Sequence, residues 1–214
     1  MEDMVHKLGQ SLDSLLDDGF KYVKSRFALV KKLKDGTQVI AIDLLPTSEP
    51  NRFKLAMHAH VRLNVLEDQY AHFHPFLSAK DRKTNPTLAL NCDSLFSDKA
   101  LTQSFHVDEN RLEEVATIYA KAINDDVLPF FEEFYSVENL VASFEQADPK
   151  LWITSDRHTR TLVLLSAYAL ESNWGEFDKV SSEYIEYCDK PFAQAYKPLA
   201  QAVIEGLKKR RRKV

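Results

Sequence analysis

Between residues 3 and 18 the apolar positions Met4, Val5, Leu8, Leu12, Leu15 and Leu16 recur at intervals of three and four. That period lines them along one stripe of a helix. Gly19 follows where a left-handed C-terminal residue is expected. The period then changes. Residues 20–34, FKYVKSRFALVKKLK, read as extended chain, and Asp35-Gly36 is a two-residue hairpin signal. TQVIAIDLL at 37–45 returns as a second strand, PTSEPN makes a loop, and residues 52–65 alternate as a third.

Side chains on a strand point to opposite faces with period two. In the third strand Phe53, Leu55, Met57, Ala59, Val61, Leu63 and Val65 share an apolar face. Lys54, Ala56, His58, His60, Arg62 and Asn64 share the other. If Asp35-Gly36 is the turn, Lys34 pairs with Thr37 and the register follows. Phe27, Leu29 and Leu33 then join Ile40, Ile42 and Leu44 on the core side. Lys24, Arg26, Lys32 and Lys34 join Asp43 on the opposite side, so one face is greasy and the other strongly basic.

Residues 66–86 read as loop, and TLALNC at 87–92 predicts a fourth strand. From there helical spacing takes over. A helix is expected over 110–125 with Asp108 or Asn110 as its cap. Pro129 kinks that helix or opens the next, and Ser136 caps VENLVASFEQA. Three further helices are expected near 156–171, 176–188 and 191–211. An N-terminal helix, a three- to four-stranded antiparallel meander and a helical C-terminal half make an α+β fold. Residues 1–148 are expected to form the α+β domain, with 149–214 a helical extension packed on it that ends in a basic tail.

Composition adds a charge layout. The net charge of −4 hides a terminal run, Lys208, Lys209, Arg210, Arg211, Arg212 and Lys213, with no acid in it. Without those six the chain has 22 basic against 32 acidic residues, a body charge of −10. A basic tail on an acidic body suits nucleic acid, an anionic membrane surface or an acidic partner patch. The simpler reading is a solvated, frayed helix end whose cations favour the negative helix terminus. Cys92 and Cys188 match no metal or redox spacing, and MEDMVHKLGQSLDSLL is unlike a signal peptide. A reducing, cytoplasmic compartment is therefore expected. No apolar run approaches the roughly 18 residues that a membrane span needs.

The chemistry-bearing feature is AMHAHVRLNVLEDQYAHFHPF, residues 56–76, with the pairs His58/His60 and His72/His74. On a strand, His-x-His sets both rings on one face, roughly 6.5–7 Å apart at the α-carbons. Such a pair can chelate zinc if a third ligand joins, and Asp43, His72 or His74 are the candidates. Lys54 and Arg62 flank the pair and raise the cost of placing a dication there. A solvated or hydrogen-bonded polar face is the better reading, and no cofactor is expected. The same face, with Lys24, Arg26, Lys54, His58, His60 and Arg62, suits an anion. Val30, Val39, Ala28, Ala41 and Ala56 interrupt it, and aromatics for base stacking are missing apart from Tyr22, which favours protein over nucleic acid. Five glycines leave little material for a phosphate loop, a nucleophile elbow or a dinucleotide fingerprint. SDRHTR, residues 155–160, crowds Asp156, Arg157, His158 and Arg160 at one helix start and reads as a capped amphipathic helix with its polar side outward.

LLDDGFKYVKSRFALVKKLKDGTQVIAIDLL, FKLAMHAHVRLNV and LPFFEEFYSVENLVASF together resemble a group of bacterial domains classified only as of unknown function. That group looks like a helix ending in Gly-Phe, a meander sheet, and a helix carrying Leu-Pro-Phe before a second short helix. The likeness covers about residues 10–146 and brings no catalytic residues with it. Some relatives look like members of toxin-immunity neighbourhoods, which implies a binding role. The leading expectation is a non-enzymatic interaction domain whose cationic sheet face takes an acidic protein partner, the histidines tuning affinity between about pH 6 and 7. The alternatives are a metal-dependent hydrolase built on His58 and His60, and nucleic-acid binding through residues 208–213.

Overall fold

The structure, a computed structural model, describes residues 1–16, 18–103, 106–146 and 157–211. The chain is α+β and divides into two compact units. Met1–Val61 and Leu88–Tyr135 form the first, Arg62–Thr87 and Ser136–Val214 the second. This division differs from a break near residue 148. Residues 66–86, expected as a loop on the sheet domain, lie within Arg62–Thr87, which belongs with the C-terminal helices.

In the first unit, α1 (Glu2–Leu15) buries Val5, Leu8 and Leu12 along the expected stripe. Leu16 is already extended, with its N–H on Leu12 O at 3.0 Å. Gly19 does take a left-handed conformation, φ +78°, but it serves the link to the sheet rather than the helix end. Six antiparallel strands follow: β1 (Lys21–Val23), β2 (Ala28–Leu33), β3 (Gly36–Pro46), β4 (Phe53–Leu63), β5 (Leu88–Asn91) and β6 (His106–Val107). β1 to β5 are spatial neighbours in chain order, and β6 pairs with β4.

The segment 20–34 is two strands rather than one. Lys24–Arg26 form a 3-10 turn, and Phe27 closes it in the left-handed region at φ 46°. Lys21 then pairs with Val30 and Val23 with Ala28. A bulky residue at positive φ is strained, and here the His6 ring stacks on Phe27, centroids 5.1 Å apart and planes 6° from parallel. His6 Nδ1 also shares a 2.8 Å hydrogen bond with the Tyr22 hydroxyl.

The next hairpin turns at Lys34-Asp35, so Leu33 pairs with Gly36 and Lys32 with Thr37. Neither turn residue has positive φ, which excludes the primed turn that Asp-Gly suggests. The register is therefore two residues from Lys34 pairing with Thr37. A shift of two preserves side-chain faces, whereas a shift of one would invert them. Leu29 still lies with Ile40, Ile42 and Leu44, all buried. On the other face Ala28, Val30 and Val39 make a small apolar cluster with Val23.

The helical part of this unit starts where Asp108 accepts the Asn110 N–H at 3.0 Å. A 3-10 turn, Glu109–Arg111, leads into helix Leu112–Ala122 and a π-helical stretch, Ile123–Val127. Leu128–Phe134 continues directly from that stretch with Pro129 as its second residue. With the four-residue helix Ala100–Gln103 these number α4 to α6, after α2 (Asn64–Tyr70) and α3 (Asp81–Thr84) of the second unit.

The second unit also holds α7 (Val137–Glu145), α8 (Arg157–Leu170), α9 (Trp174–Cys188) and α10 (Lys197–Arg211). Ser136 caps α7 as expected, its Oγ accepting from Asn139 N–H at 3.2 Å. Asn173 caps α9. Helix α8 packs against α2, α7, α9 and α10, so its buried positions run around much of its circumference. No helix of the described residues is long and apolar enough to cross a membrane.

Candidate functional site

Alternation along β4 puts Lys54, His58 and His60 on one side, with Ala56 buried between them. Partners in an antiparallel pair share a face. His58 pairs with Asn91, His60 with Ala89 and Lys54 with His106. His106, which carries no signal in a two-residue strand, is thus a third histidine on this face. The rings of His58 and His60 lie 6.5 Å apart at 40°.

His60 is half-buried, and burial pushes its pKa below the usual histidine value; the positive field of His58 and then of Arg26 lowers it further. Arg26 therefore acts on this face although it belongs to the 3-10 turn and not to a strand. Lys24, in the same turn, is exposed like Arg26. Neither pairs with a carboxylate among the described residues. Lys54 does, with Asp93 Oδ2 at 3.6 Å. Imidazoles and free cations without a facing carboxylate offer hydrogen-bond donors and positive charge to an anion.

Arg62 does not contribute to that surface. It is 6% exposed, and it is bound up within the second unit. Its Nε donates to Asn64 Oδ1 at 3.0 Å. Nη1 donates to Asn85 O at 2.7 Å and Glu67 Oε2 at 3.5 Å, and Nη2 to Asp68 Oδ1 and Arg82 O, both at 3.1 Å. Five acceptors meet the five N–H groups of the guanidinium. Alternation assigned Arg62 to the right side of the strand, but the chain beyond it folds back and covers that side. Glu67 is fully buried; burial raises its pKa, against the pull of bonds from Asn85 and Tyr70 and the charge of Arg62.

The candidate zinc set is not assembled. Asp43 is exposed on β3, whereas His72 and His74 belong to the second unit. His74 Nδ1 accepts the Phe76 N–H at 3.3 Å. Burial, and then Arg82, lowers its pKa. Among the described residues no three His, Cys, Asp or Glu side chains come together at metal-binding geometry.

The basic tail is helical to Arg211 rather than frayed, and Arg212 and Lys213 lie outside the described residues. Lys208 and Arg211 share Asp178, at 3.1 and 3.4 Å. Arg210 bonds Gln69, and its guanidinium lies 5.1 Å from the Phe73 ring centre. Lys209 is exposed. Of SDRHTR, Ser155 and Asp156 also lie outside the described residues. His158 is not on an outward polar side: it is buried, bonded to the Tyr184 hydroxyl at 2.9 Å and stacked on Tyr196.

The His60 environment has a consequence for pH. A histidine whose folded-state pKa is lowered binds fewer protons folded than unfolded. Its contribution to stability is present above about pH 6.5 and lost as pH falls through the lowered value. His74 acts with the same sign. Glu67, whose pKa burial raises, acts with the opposite sign, so the readout is a difference: as thermal melts go from pH 7.5 to 5.5, His60→Gln is expected to gain stability relative to the wild type. An unchanged slope in that variant would mean that His60 is not held neutral.

Comparison with protein-family profiles, with curated proteins and with solved structures gives no match to this chain.

Proposed function

We propose that the protein is a non-enzymatic interaction domain that recognises an acidic polypeptide through the β1–β2 turn and the adjoining face of β4. The footprint is Lys24, Arg26, His58 and His60, with Lys54 at its edge and Arg62 excluded by burial. One observation carries the reading: Lys24 and Arg26 stand exposed in the β1–β2 turn, neither bridged to a carboxylate among the described residues, and the charge of Arg26 reaches His60 on the adjoining face of β4. An incoming carboxylate matches the planar fork of Arg26 in two-point fashion. Complementary charge speeds encounter more than it deepens affinity, so binding weakens steeply with salt. His60, pushed down by its surroundings, is neutral at pH 7 and gains charge only on acidification.

A glutamate-rich peptide titrated into the 214-residue chain is the test. Affinity is expected to fall at least tenfold between 50 and 300 mM salt, and again in Lys24→Glu/Arg26→Glu, whose two sites are exposed. Affinity indifferent to both changes would sink the proposal. The tail is the weaker alternative for an extended polyanion, because Lys208 and Arg211 share Asp178 and Arg210 is held by Gln69, so each keeps only part of its donors for a partner.

A further inference from the structure

The end of α10 closes one side of a cavity of about 520 Å³ within the second unit, lined by Gln69, Ala169, Leu170, Trp174, Arg210 and Arg211, with Ser172 at its rim. That volume falls in the range of small-molecule pockets, about 300–1,000 Å³. Its floor is apolar. Leu170, the last residue of α8, is 40% exposed, and Trp174 opens α9. Ser172, in the turn between these helices, holds a left-handed φ of 58°.

Two guanidiniums line the same cavity. Arg211 lies 5.0 Å from the Trp174 ring centre and Arg210 5.1 Å from that of Phe73. Each spends one nitrogen on a protein acceptor, Arg210 Nη1 on the neutral Gln69 and Arg211 Nη1 on Asp178 at 3.4 Å. Their other N–H groups have no acceptor among the described residues. Asp178 is divided between Arg211 and Lys208, and Glu171 and Glu205 of the neighbouring turns pair with neither arginine. Positive charge therefore remains in excess beside an exposed leucine and an indole.

We infer that this cavity binds a small aryl anion, with its ring on Leu170 and Trp174 and its carboxylate or phosphate on the unused edges of Arg210 and Arg211. A flat ring suits the indole and the guanidinium planes, which prefer π partners. An anionic group suits donors in a fixed fork. The site lies in the second unit and stands or falls independently of the proposed function.

Calorimetric titration of the full chain with phenyl phosphate and with phenylacetate tests it, with inorganic phosphate and benzyl alcohol as the separated halves. Saturable binding of at least one aryl anion is expected, with a Kd on the order of 1 mM or tighter, and each half alone at least tenfold weaker. The tighter of the two anions identifies the ligand's charged group. Leu170→Glu, at a half-exposed position that tolerates a charge, is expected to weaken binding at least tenfold. Lys209→Glu, on the same helix but outside the cavity, is expected to change it less than threefold. No binding, equal binding of inorganic phosphate or benzyl alcohol, or equal losses in the two variants would each overturn the inference.

Discussion

Replacing Arg62 by alanine is expected to destabilise the second unit by about 3–5 kcal/mol, the range for breaking a buried ion pair by removing one partner. The variant loses five hydrogen bonds at once. More costly, it strands the fully buried Glu67 carboxylate with the neutral donors Tyr70, Asn85 and Thr87 and no opposing charge beside it. Lysine is no remedy, since one ammonium cannot reach five divergent acceptors. The loss also carries a pH signature. Burial already raises the Glu67 pKa, and without Arg62 it rises further. A carboxyl raised in the folded state favours folding most at acid pH and loses that contribution as pH rises through its folded value. The Arg62→Ala deficit is therefore expected to be larger at pH 7.5 than at pH 5, and Glu67→Gln in the same background to recover part of it. Urea unfolding, with hydrogen exchange over residues 62–87 to assign the transition, measures both. A deficit below about 1 kcal/mol, the scale of a surface ion pair, would show that the network is not the clamp described.

The second large effect is expected at Gly206. A β-carbon there would overlap Phe73 Cγ, the ring's attachment carbon, so turning the ring about its own axis gives no relief and the whole side chain must shift. Gly206 and Arg210 are four apart on α10 and share a helix face: the glycine makes the notch and the guanidinium lies over the same ring. Gly→Ala inside a helix ordinarily stabilises by about 1 kcal/mol. Here Gly206→Ala is expected to destabilise by about 1–3 kcal/mol, the cost of overpacking. Gly175→Ala, where a β-carbon meets open space, is expected to be neutral or mildly stabilising. Adding Phe73→Ala to Gly206→Ala is expected to remove most of the clash, a non-additivity that thermal melts of the four variants resolve. Equal melting shifts for the two glycine variants would contradict the notch.

Much of the architecture is legible in the chain because it rests on short-range periodicity. The stripe of Val5, Leu8 and Leu12, the alternation of β4 and the cap at Ser136 are read directly from neighbouring residues. The split of residues 20–34 is not, because a left-handed phenylalanine is held by His6, far away in sequence. Alternation also assigned Arg62 to a face without telling what covers it. Glu67 and Asp68, five and six residues on, were the available signal. His106 joins the histidine face through a two-residue strand, too short to show a period. The basic tail looked solvated because its partners, Gln69, Phe73, Trp174 and Asp178, are distant in the chain.

Recognition of an acidic polypeptide by Lys24, Arg26, His58 and His60 is tested most directly by mapping. The isotope-labelled 214-residue chain is titrated with a glutamate-rich peptide at low salt while backbone amide and imidazole resonances are followed. Saturable shifts are expected at residues 24–26 and at the His58 and His60 rings, and they should vanish in Lys24→Glu/Arg26→Glu. Shifts confined to residues 208–211, or none at 24–26 and 58–60 at saturation, would contradict it.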